Sequence, residues 1–332
     1  MKRLYDIITV GTATRDIFLR SANFHLVHSR HLVPGETEFL ALGNKIDITS
    51  LIVSTGGGAT NAAATFAKFG YRTAYVGRVG VDEDGNAILR DLRERNIETR
   101  YVRRDRERRT AMSVLLSPLH HRRTILVYRG ASQDLRSSDL PLAHVRSRWL
   151  YVTSLGGDFS VSAAIVRATR RHKISLMINP GAGELQYPSR LLALLRHATI
   201  VLMNREEAGM LVGGRAIDDT RVRQTLAKKI PGILCITDEE HGAWVHFCGR
   251  TFRSSTHRRL RVVERTGAGD AFGSGFLCGY LATRGDISEA LQYATANAES
   301  VMKKVGAKNG ILGRKPRGRE RIHVVCSPFS AR

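Results

Sequence analysis

Cysteine is scarce in this chain of 332 residues: four in all, at positions 235, 248, 278 and 326, with no Cys-x-x-Cys pair among them. That excludes a disulfide framework and makes a reducing, cytoplasmic setting the expectation. Long apolar runs are missing as well. No window holds 18 or more apolar residues without charge, so no transmembrane helix is expected. At the N-terminus, MKRLYDIITVG, Asp6 interrupts what would be the apolar part of a signal peptide. Internal repeats and low-complexity tracts are absent, which sets aside solenoids and disordered arrays. Acidic residues are outnumbered, 30 Asp and Glu against 52 Lys and Arg, for a net charge of +22. A basic excess suits nucleic acid or anionic small substrates. The basic residues gather in 100–109, with six Arg, and in 313–321, with five Arg or Lys. Such runs are more often solvated surface than specific binding sites, so the reading here is no nucleic-acid partner and no membrane.

What is present is an alternation. Short β-branched runs at 4–10, 73–79, 148–153, 174–179, 198–203 and 232–237 are separated by amphipathic stretches at 59–69, 84–95, 160–172, 188–196 and 219–229. This pattern predicts βαβ units and a mainly parallel sheet with helices on both faces. Residues 12–55 and 98–130 break the rhythm: they hold strand-like pieces without a crossover helix, as a small separate sheet would. A further helix is predicted over 286–305, with Asp286 and Glu289 as a capping box and Gly306 as its left-handed cap. Beyond residue 312 the chain is basic and punctuated by Pro and Gly, and reads as a tail or a loose edge.

Three motifs carry chemistry. Thr266-Gly267-Ala268-Gly269-Asp270-Ala271-Phe272 is a flexible loop feeding into a helix. Such a junction offers free backbone N–H groups and the positive end of a helix dipole to an anionic oxygen. Asp270 could take a proton from a hydroxyl there while the amides stabilise the moving phosphoryl group; equally, it could simply cap a helix packed through its glycines. Gly56-Gly57-Gly58-Ala59-Thr60-Asn61 is a second Gly-rich entry into a helix, with Asn61 able to donate to and accept from hydroxyl groups. It is neither a Walker A loop nor a dinucleotide fingerprint. Asn204-Arg205-Glu206-Glu207 follows a predicted strand. In isolation it reads as a capping box; at the edge of a sheet, Asn204 and Glu207 could hold Mg²⁺ through its waters.

Taken together and in this order, the motifs resemble those of the PfkB family of carbohydrate kinases, over roughly residues 4–312. Gly56-Gly57…Asn61, continuing into Val76–Gly85, resembles the family's N-terminal signature, and Thr266–Phe272 its C-terminal one. Asn204 and Glu207 match its Asn-x-x-Glu motif. The resemblance implies a three-layer α/β/α ribokinase-like domain over 1–312, with a mainly parallel central sheet and a small β-sheet lid from the two irregular segments, followed by the basic tail 313–332. It implies an ATP- and Mg²⁺-dependent kinase acting on a sugar hydroxyl. Asp270 would be the base, and the amides of Gly267, Ala268 and Gly269 the anion hole. Asp16, Gly57 and Asn61 would bind the acceptor. Asn204 and Glu207 would organise Mg²⁺ through water, and Thr237, Gly242 and Asn297 would lie along the nucleotide. A nucleoside kinase and a sugar-phosphate kinase are the alternatives within the fold, and a non-catalytic or nucleic-acid-binding member the alternative outside it. Arg78, Arg104, Arg123 and Arg129 could face a sugar phosphate if they line the lid, but the preferred reading is exposed surface arginines. In many members the lid also forms a dimer interface. Two positions depart from the pattern. Glu264-Arg265 stands where Asp-Thr is usual, which puts a monovalent cation in doubt, and Glu239 adds bulk and negative charge to the nucleotide loop.

Overall fold

The computed structural model describes residues 4–29, 35–39, 43–117, 123–141, 146–213, 219–257 and 260–329. Ten strands form the main sheet. Seven of them run parallel, in the order Val102–Asp105, Thr73–Gly80, Tyr5–Val10, Ser147–Val152, Ser175–Ile178, Ile200–Asn204 and Ile233–Thr237. Ala243–Phe247, Arg250–Ser254 and Val324–Pro328 then extend the sheet antiparallel. The predicted strands therefore form the centre of the molecule.

Period-2 alternation divides their side chains between two cores. Ile8, Val10, Leu150, Val152, Leu176, Ile178, Val201 and Met203 pack on one face, beneath the helices Phe159–His172, Pro188–Leu195 and Arg205–Val212. Ile7, Trp149, Tyr151, Met177, Ile200, Leu202 and Cys235 pack on the other, beneath Gly58–Lys68, Ala268–Ala282 and Ile287–Met302. Strands buried on both faces must be apolar at every position, which is why they stand out as unbroken runs.

A second sheet of four strands, in the order Ser50–Gly56, Thr14–Arg20, Ala111–Ser117 and Thr124–Tyr128, is the lid. All its strands come from the two irregular segments. Val102–Asp105, from the same stretch, goes instead to the edge of the main sheet. A third pair, His25–Ser29 with Gly35–Phe39, completes the sheets.

Of the tail or loose edge expected for the C-terminal stretch, the structure shows an edge: Val324–Pro328 pairs with Arg250–Ser254. Residues before it are tied down by Arg314–Glu320 at 2.6 Å and Lys315–Glu289 at 3.0 Å. Glu289 is thereby drawn away from the reciprocal half of its capping box, although Asp286 Oδ1 still accepts the Glu289 N–H at 2.9 Å. Gly306 has the left-handed φ of +93°, but the helix ends earlier, at Met302. In the other basic run, Arg104 donates to the Gly80 carbonyl at 3.0 Å and Arg108 pairs with Asp134 at 2.7 Å. Those arginines serve the protein's own surface.

Strand order sets where a ligand can sit. From Tyr5–Val10 the chain moves to the neighbour on one side, Thr73–Gly80, and later to the neighbour on the other, Ser147–Val152. The crevice beyond the C-terminal ends of the two strands Tyr5–Val10 and Ser147–Val152 is thus a topological switch point, where open α/β sheets bind their ligands. Gly11 and Thr153 line it. A Cβ at Gly11 would stand 2.1 Å from Thr153 Oγ1, so the two strand ends are in contact.

Candidate active site

Three chain segments converge on that crevice. The first is the lid strand Thr14–Arg20, which carries Asp16. Its side chain is buried, and Thr14 Oγ1 donates to Oδ1 at 2.8 Å. A Cβ at Gly56, across the strand pair, would lie 1.8 Å from Asp16 Oδ2, so only glycine leaves room for this carboxylate. Burial pushes the Asp16 carboxyl above its usual range, while the Thr14 hydrogen bond and the charge of Lys308 pull it back.

The second segment is the helix Gly58–Lys68. Gly57 caps it with φ +97°, and Thr60 Oγ1 donates to the Gly56 carbonyl at 2.6 Å. Asn61 lies in the first turn. Its Nδ2 donates to Asp270 Oδ2 at 2.8 Å, across 209 residues of sequence. Its Oδ1 is buried and has no partner among the described residues.

The third is the helix Ala268–Ala282, entered through Gly267 at φ +79°. A side chain at 267 would strike Ala307, 2.3 Å away. The Ala268 N–H donates to the Arg265 carbonyl at 3.1 Å and that of Ala271 to the Gly267 carbonyl at 2.8 Å. Among the described residues, no backbone acceptor faces the N–H groups of Gly269 and Asp270. The space beside Gly269 is open: no atom lies within 4 Å of where its Cβ would be. Of the three amides expected to form an anion hole, that of Ala268 is engaged by the Arg265 carbonyl, while those of Gly267 and Gly269 have no backbone acceptor among the described residues. Burial raises the Asp270 carboxyl above the ordinary range and the charge of Asp16 raises it further; the Asn61 hydrogen bond and Lys308 oppose them.

Two more buried polar atoms near Asp270 lack partners among the described residues: the Thr153 hydroxyl and the Tyr151 hydroxyl. Thr153 Cβ and Asp270 Oδ1 both lie about 3.3 Å or less from where a Gly58 Cβ would be, which places them side by side. Burial pushes the Tyr151 phenol well up, and the field of Asp270 adds to this. Unpartnered buried polar atoms are rare in folded proteins and mark a missing water or ligand. Asn61 Oδ1, Thr153 Oγ1 and the Tyr151 hydroxyl, grouped around a carboxylate, suit a ligand bearing several hydroxyl groups.

Asn204 and Glu207 form the capping box in full. The Glu207 N–H donates to Asn204 Oδ1 and the Asn204 N–H to Glu207 Oε2, each at 2.8 Å. Burial raises the Glu207 carboxyl, Glu206 and Asp270 add to the rise, and the Asn204 amide opposes it. Two carboxylates that destabilise each other's charge are relieved by a cation. Among the described residues no three His, Cys, Asp or Glu side chains converge as a direct metal cage. The oxygen donors present fit a hard ion such as Mg²⁺, held through water and phosphate oxygens, better than they fit direct coordination.

The nucleotide loop follows the strand Ile233–Thr237. Thr237 ends the strand, the Asp238 N–H donates to the Gly242 carbonyl at 2.9 Å, and Gly242 adopts φ +92°. Glu239 sits at a positive φ, +41°, with its side chain 73% exposed and paired with Arg265 at 3.0 Å. The two departures from the family pattern thus meet: Arg265 pairs with the exposed Glu239 carboxylate. Glu264 is buried, and its Oε1 accepts from the Arg265 N–H, the Thr266 N–H and the Thr266 hydroxyl at 2.8–2.9 Å. It organises the approach to Gly267. Arg123, beside the lid hairpin, reaches Glu264 at 3.4 Å. Arg78 does not face an acceptor; it is engaged by Asp139 at 2.7 Å and Asp105 at 3.0 Å.

Asn297 is fully buried. Its Nδ2 donates to the Ala271 carbonyl at 2.9 Å, and its Oδ1 accepts the Leu312 N–H at 3.1 Å. With both ends of the amide occupied, it is a strut between the helices, which corrects the expected contact with a nucleotide. Lys308, absent from any motif, is the residue that sequence reasoning missed. It lies in a Gly-rich loop without period, so no pattern predicts that it is buried.

A family model described as pfkB family carbohydrate kinase matches residues 30–312. The 5-dehydro-2-deoxygluconokinase of Shouchella clausii is 30% identical over 320 residues, covering 90% of each chain. The ribokinase of Staphylococcus aureus is 22% identical over 314 residues, covering 92% of this chain and 96% of that one. Among solved structures, adenosine kinase from Sinorhizobium meliloti superposes with a TM-score of 0.76 at 23% identity, covering 92% of this chain and 96% of its own.

Proposed function

The chain belongs to the pfkB family of carbohydrate kinases, and on that footing we propose that it transfers the γ-phosphoryl group of ATP to a hydroxyl of a sugar or sugar acid. The observation that carries this reading is the Asn61–Asp270 hydrogen bond with its ring of unpartnered polar atoms. It sets a carboxylate with a raised pKa next to the open amides of a helix N-terminus. Asp270 accepts the proton of the acceptor hydroxyl as that oxygen attacks the γ-phosphorus and the bond to the β-phosphate oxygen breaks. The amides of Gly269 and Asp270, with that of Gly267 at the turn, receive the charge of the moving phosphoryl group. Asp16 and Asn61 hold the neighbouring hydroxyl groups, with Gly57 giving the acceptor close access to the backbone. Asn204 and Glu207 would hold Mg²⁺ through its waters, and the ion would neutralise phosphate charge. Thr237 and Gly242 border the nucleotide.

A sugar acid is the first acceptor to test, because the gluconokinase relative shares 30% identity over nearly the whole chain. A nucleoside would use Asp16 and Asn61 in the same way through its ribose. Release of ADP from ATP and Mg²⁺ across sugars, sugar acids, sugar phosphates and nucleosides separates these. One acceptor-dependent signal supports the reading; ATP binding without turnover on any acceptor contradicts it. The reading extends to a homodimer joined through the lid. Its strands Ser50–Gly56 and Thr124–Tyr128 expose Leu51 (63%), Ile52, Val53, Leu126, Val127 and Tyr128, an apolar surface that a second copy would cover.

A further inference from the structure

A second cavity, of about 360 Å³, lies outside the site described above, and its volume is that of a pocket for one small metabolite. Three elements enclose it. The lid strands Thr14–Arg20 and Ser50–Gly56 contribute Arg15 and Thr55, the loop after Ile287–Met302 contributes Lys308, and the helix Glu83–Glu94 with its cap Arg95 forms the remaining wall. Arg15 and Thr55 are partners across the strand pair, so their side chains share one face, and Asp16, the next residue, points to the other. The cavity is therefore separate from the acceptor pocket.

Its lining has donors to spare. The Lys308 side chain is 3% exposed, and its Nζ donates to Thr55 Oγ1 at 2.8 Å and to Asp91 Oδ2 at 3.0 Å. An ammonium carries three N–H groups, and the third meets no acceptor among the described residues. Arg95 commits its Nε alone, to Asp91 Oδ1 at 2.8 Å, which leaves both terminal nitrogens. Arg90 has no hydrogen bond or ion pair among the described residues. Arg15 Nε stands 3.4 Å from Asp84 Oδ1 and makes no hydrogen bond among the described residues. Asp91 is already engaged at both oxygens, since Thr55 Oγ1 also donates to its Oδ2 at 2.6 Å. Glu94 is the other carboxylate of the lining. Four basic side chains thus face two acidic ones, and the free donors belong to the basic set.

We propose that this cavity binds a small phosphate ester, its phosphoryl oxygens on Arg90, the terminal nitrogens of Arg95 and the free donor of Lys308, and that the ligand favours acceptor binding. Guanidinium groups match phosphoryl oxygens in charge and in fork geometry. The volume exceeds what a bare phosphate ion fills, and Ser54 and Glu94 offer partners to hydroxyl groups on the rest of an ester. The acceptor pocket is one residue away along each strand. Arg15 precedes Asp16, and Thr55 precedes Gly56, whose missing side chain makes room for the Asp16 carboxylate. A ligand tied to both strands and to the helix Glu83–Glu94 holds that strand pair in place, so ligand and acceptor promote each other's binding. The effect on the acceptor rests on the proposed kinase reaction; the site itself does not.

Calorimetric titration of the full chain with 6-phosphogluconate, with the nucleotide site filled by a non-hydrolysable ATP analogue and Mg²⁺, tests the site. The ester should bind the wild type, and Arg90→Ala, a change on an exposed helix face, should weaken it about tenfold or more. Arg90→Ala/Arg95→Ala should abolish binding, and Asp16→Asn, in the acceptor pocket, should leave it unchanged. An absence of binding, or binding that both arginine variants retain, overturns the proposal. Inorganic phosphate that binds as tightly as the ester overturns the assignment to an ester. In kinetic assays the ester should lower KM for the acceptor about fivefold in the wild type and not in Arg90→Ala. Binding with an unchanged KM overturns the link to the acceptor. If no acceptor is turned over, the kinase reading fails, and calorimetry still decides the site.

Discussion

Replacing Asn61 by Ala isolates the contact on which the proposed chemistry depends. Asn61 Nδ2 donates to Asp270 Oδ2 at 2.8 Å, and its other amide atom is buried without a partner among the described residues. A hydrogen bond to a charged group contributes about 1.5–3 kcal/mol. At about 1.4 kcal/mol per decade, its loss lowers kcat/KM by roughly ten- to hundredfold. The pH dependence has a definite sign. Asn61 donates to the ionised carboxylate and so lowers the Asp270 pKa; without it the pKa rises and the acid limb of kcat/KM moves to higher pH. The deficit is therefore larger at acid pH than at alkaline pH. Stability near neutral pH should fall as well, because the buried Asp270 carboxylate loses its donor, with the loss partly offset by the higher helix propensity of Ala and the removal of the buried Asn61 carbonyl. The assays are steady-state kinetics across pH and thermal unfolding of the same variant. A kcat/KM within about threefold of the wild type, with an unmoved acid limb, would refute the role given to this contact.

Three further perturbations probe other parts of the account. Arg265→Ala frees the Glu239 carboxylate beside the nucleotide loop and should raise KM for ATP about two- to fivefold with no change in Tm, since the pair is exposed. The double variant with Glu239→Ala should restore KM, and a failure to do so would show that Arg265 acts on the nucleotide directly. Gly242→Ala puts a Cβ 2.0 Å from the Ser254 carbonyl oxygen at φ +92°. It should lower Tm by roughly 5 °C or more, and an unchanged Tm in calorimetry would contradict the loop geometry. Leu126→Asp, on the outer lid strand, should convert a dimer to monomers in sedimentation experiments without lowering Tm; an unchanged sedimentation coefficient would place the interface elsewhere.

The central sheet was legible because its strands are buried on both faces. Runs such as 198–203 (ATIVLM) and 232–237 (GILCIT) have no polar face to blur them, and the observed strands Ile200–Asn204 and Ile233–Thr237 fall within a residue or two of the expected bounds. The lid was legible in outline from the absence of crossover helices in 12–55 and 98–130. The destination of Val102–Asp105 was not, because four residues carrying two arginines give no sign of which sheet they join. The strand Val324–Pro328 was hidden by its basic, Pro- and Gly-rich surroundings; only the open edge of Arg250–Ser254 gives it a place. Within the site, Asp16, Asn61 and Asp270 converge as their motifs suggest. The bonds that set their chemistry join residues 36 to 253 positions apart, such as Thr55 with Asp91 and with Lys308, and no local spacing encodes them. Asn297 shows the reverse: its place in the family pattern suggested a ligand contact, and burial assigns it to the scaffold instead.

Asp270→Asn tests the central claim most directly, with turnover, ATP binding and thermal stability measured on one preparation. Removing the base should lower kcat by about 10²–10⁴-fold and leave the Kd for ATP within about twofold. The folded-state pKa of Asp270 is raised, so its ionised form opposes folding at every pH above that value; below the ordinary carboxylate range the penalty is gone. The asparagine variant should therefore unfold at a higher Tm than the wild type near neutral pH, with the difference closing on acidification. Loss of turnover together with that gain in stability is the predicted result. Near-normal turnover in the variant would contradict the assignment of Asp270 as the base.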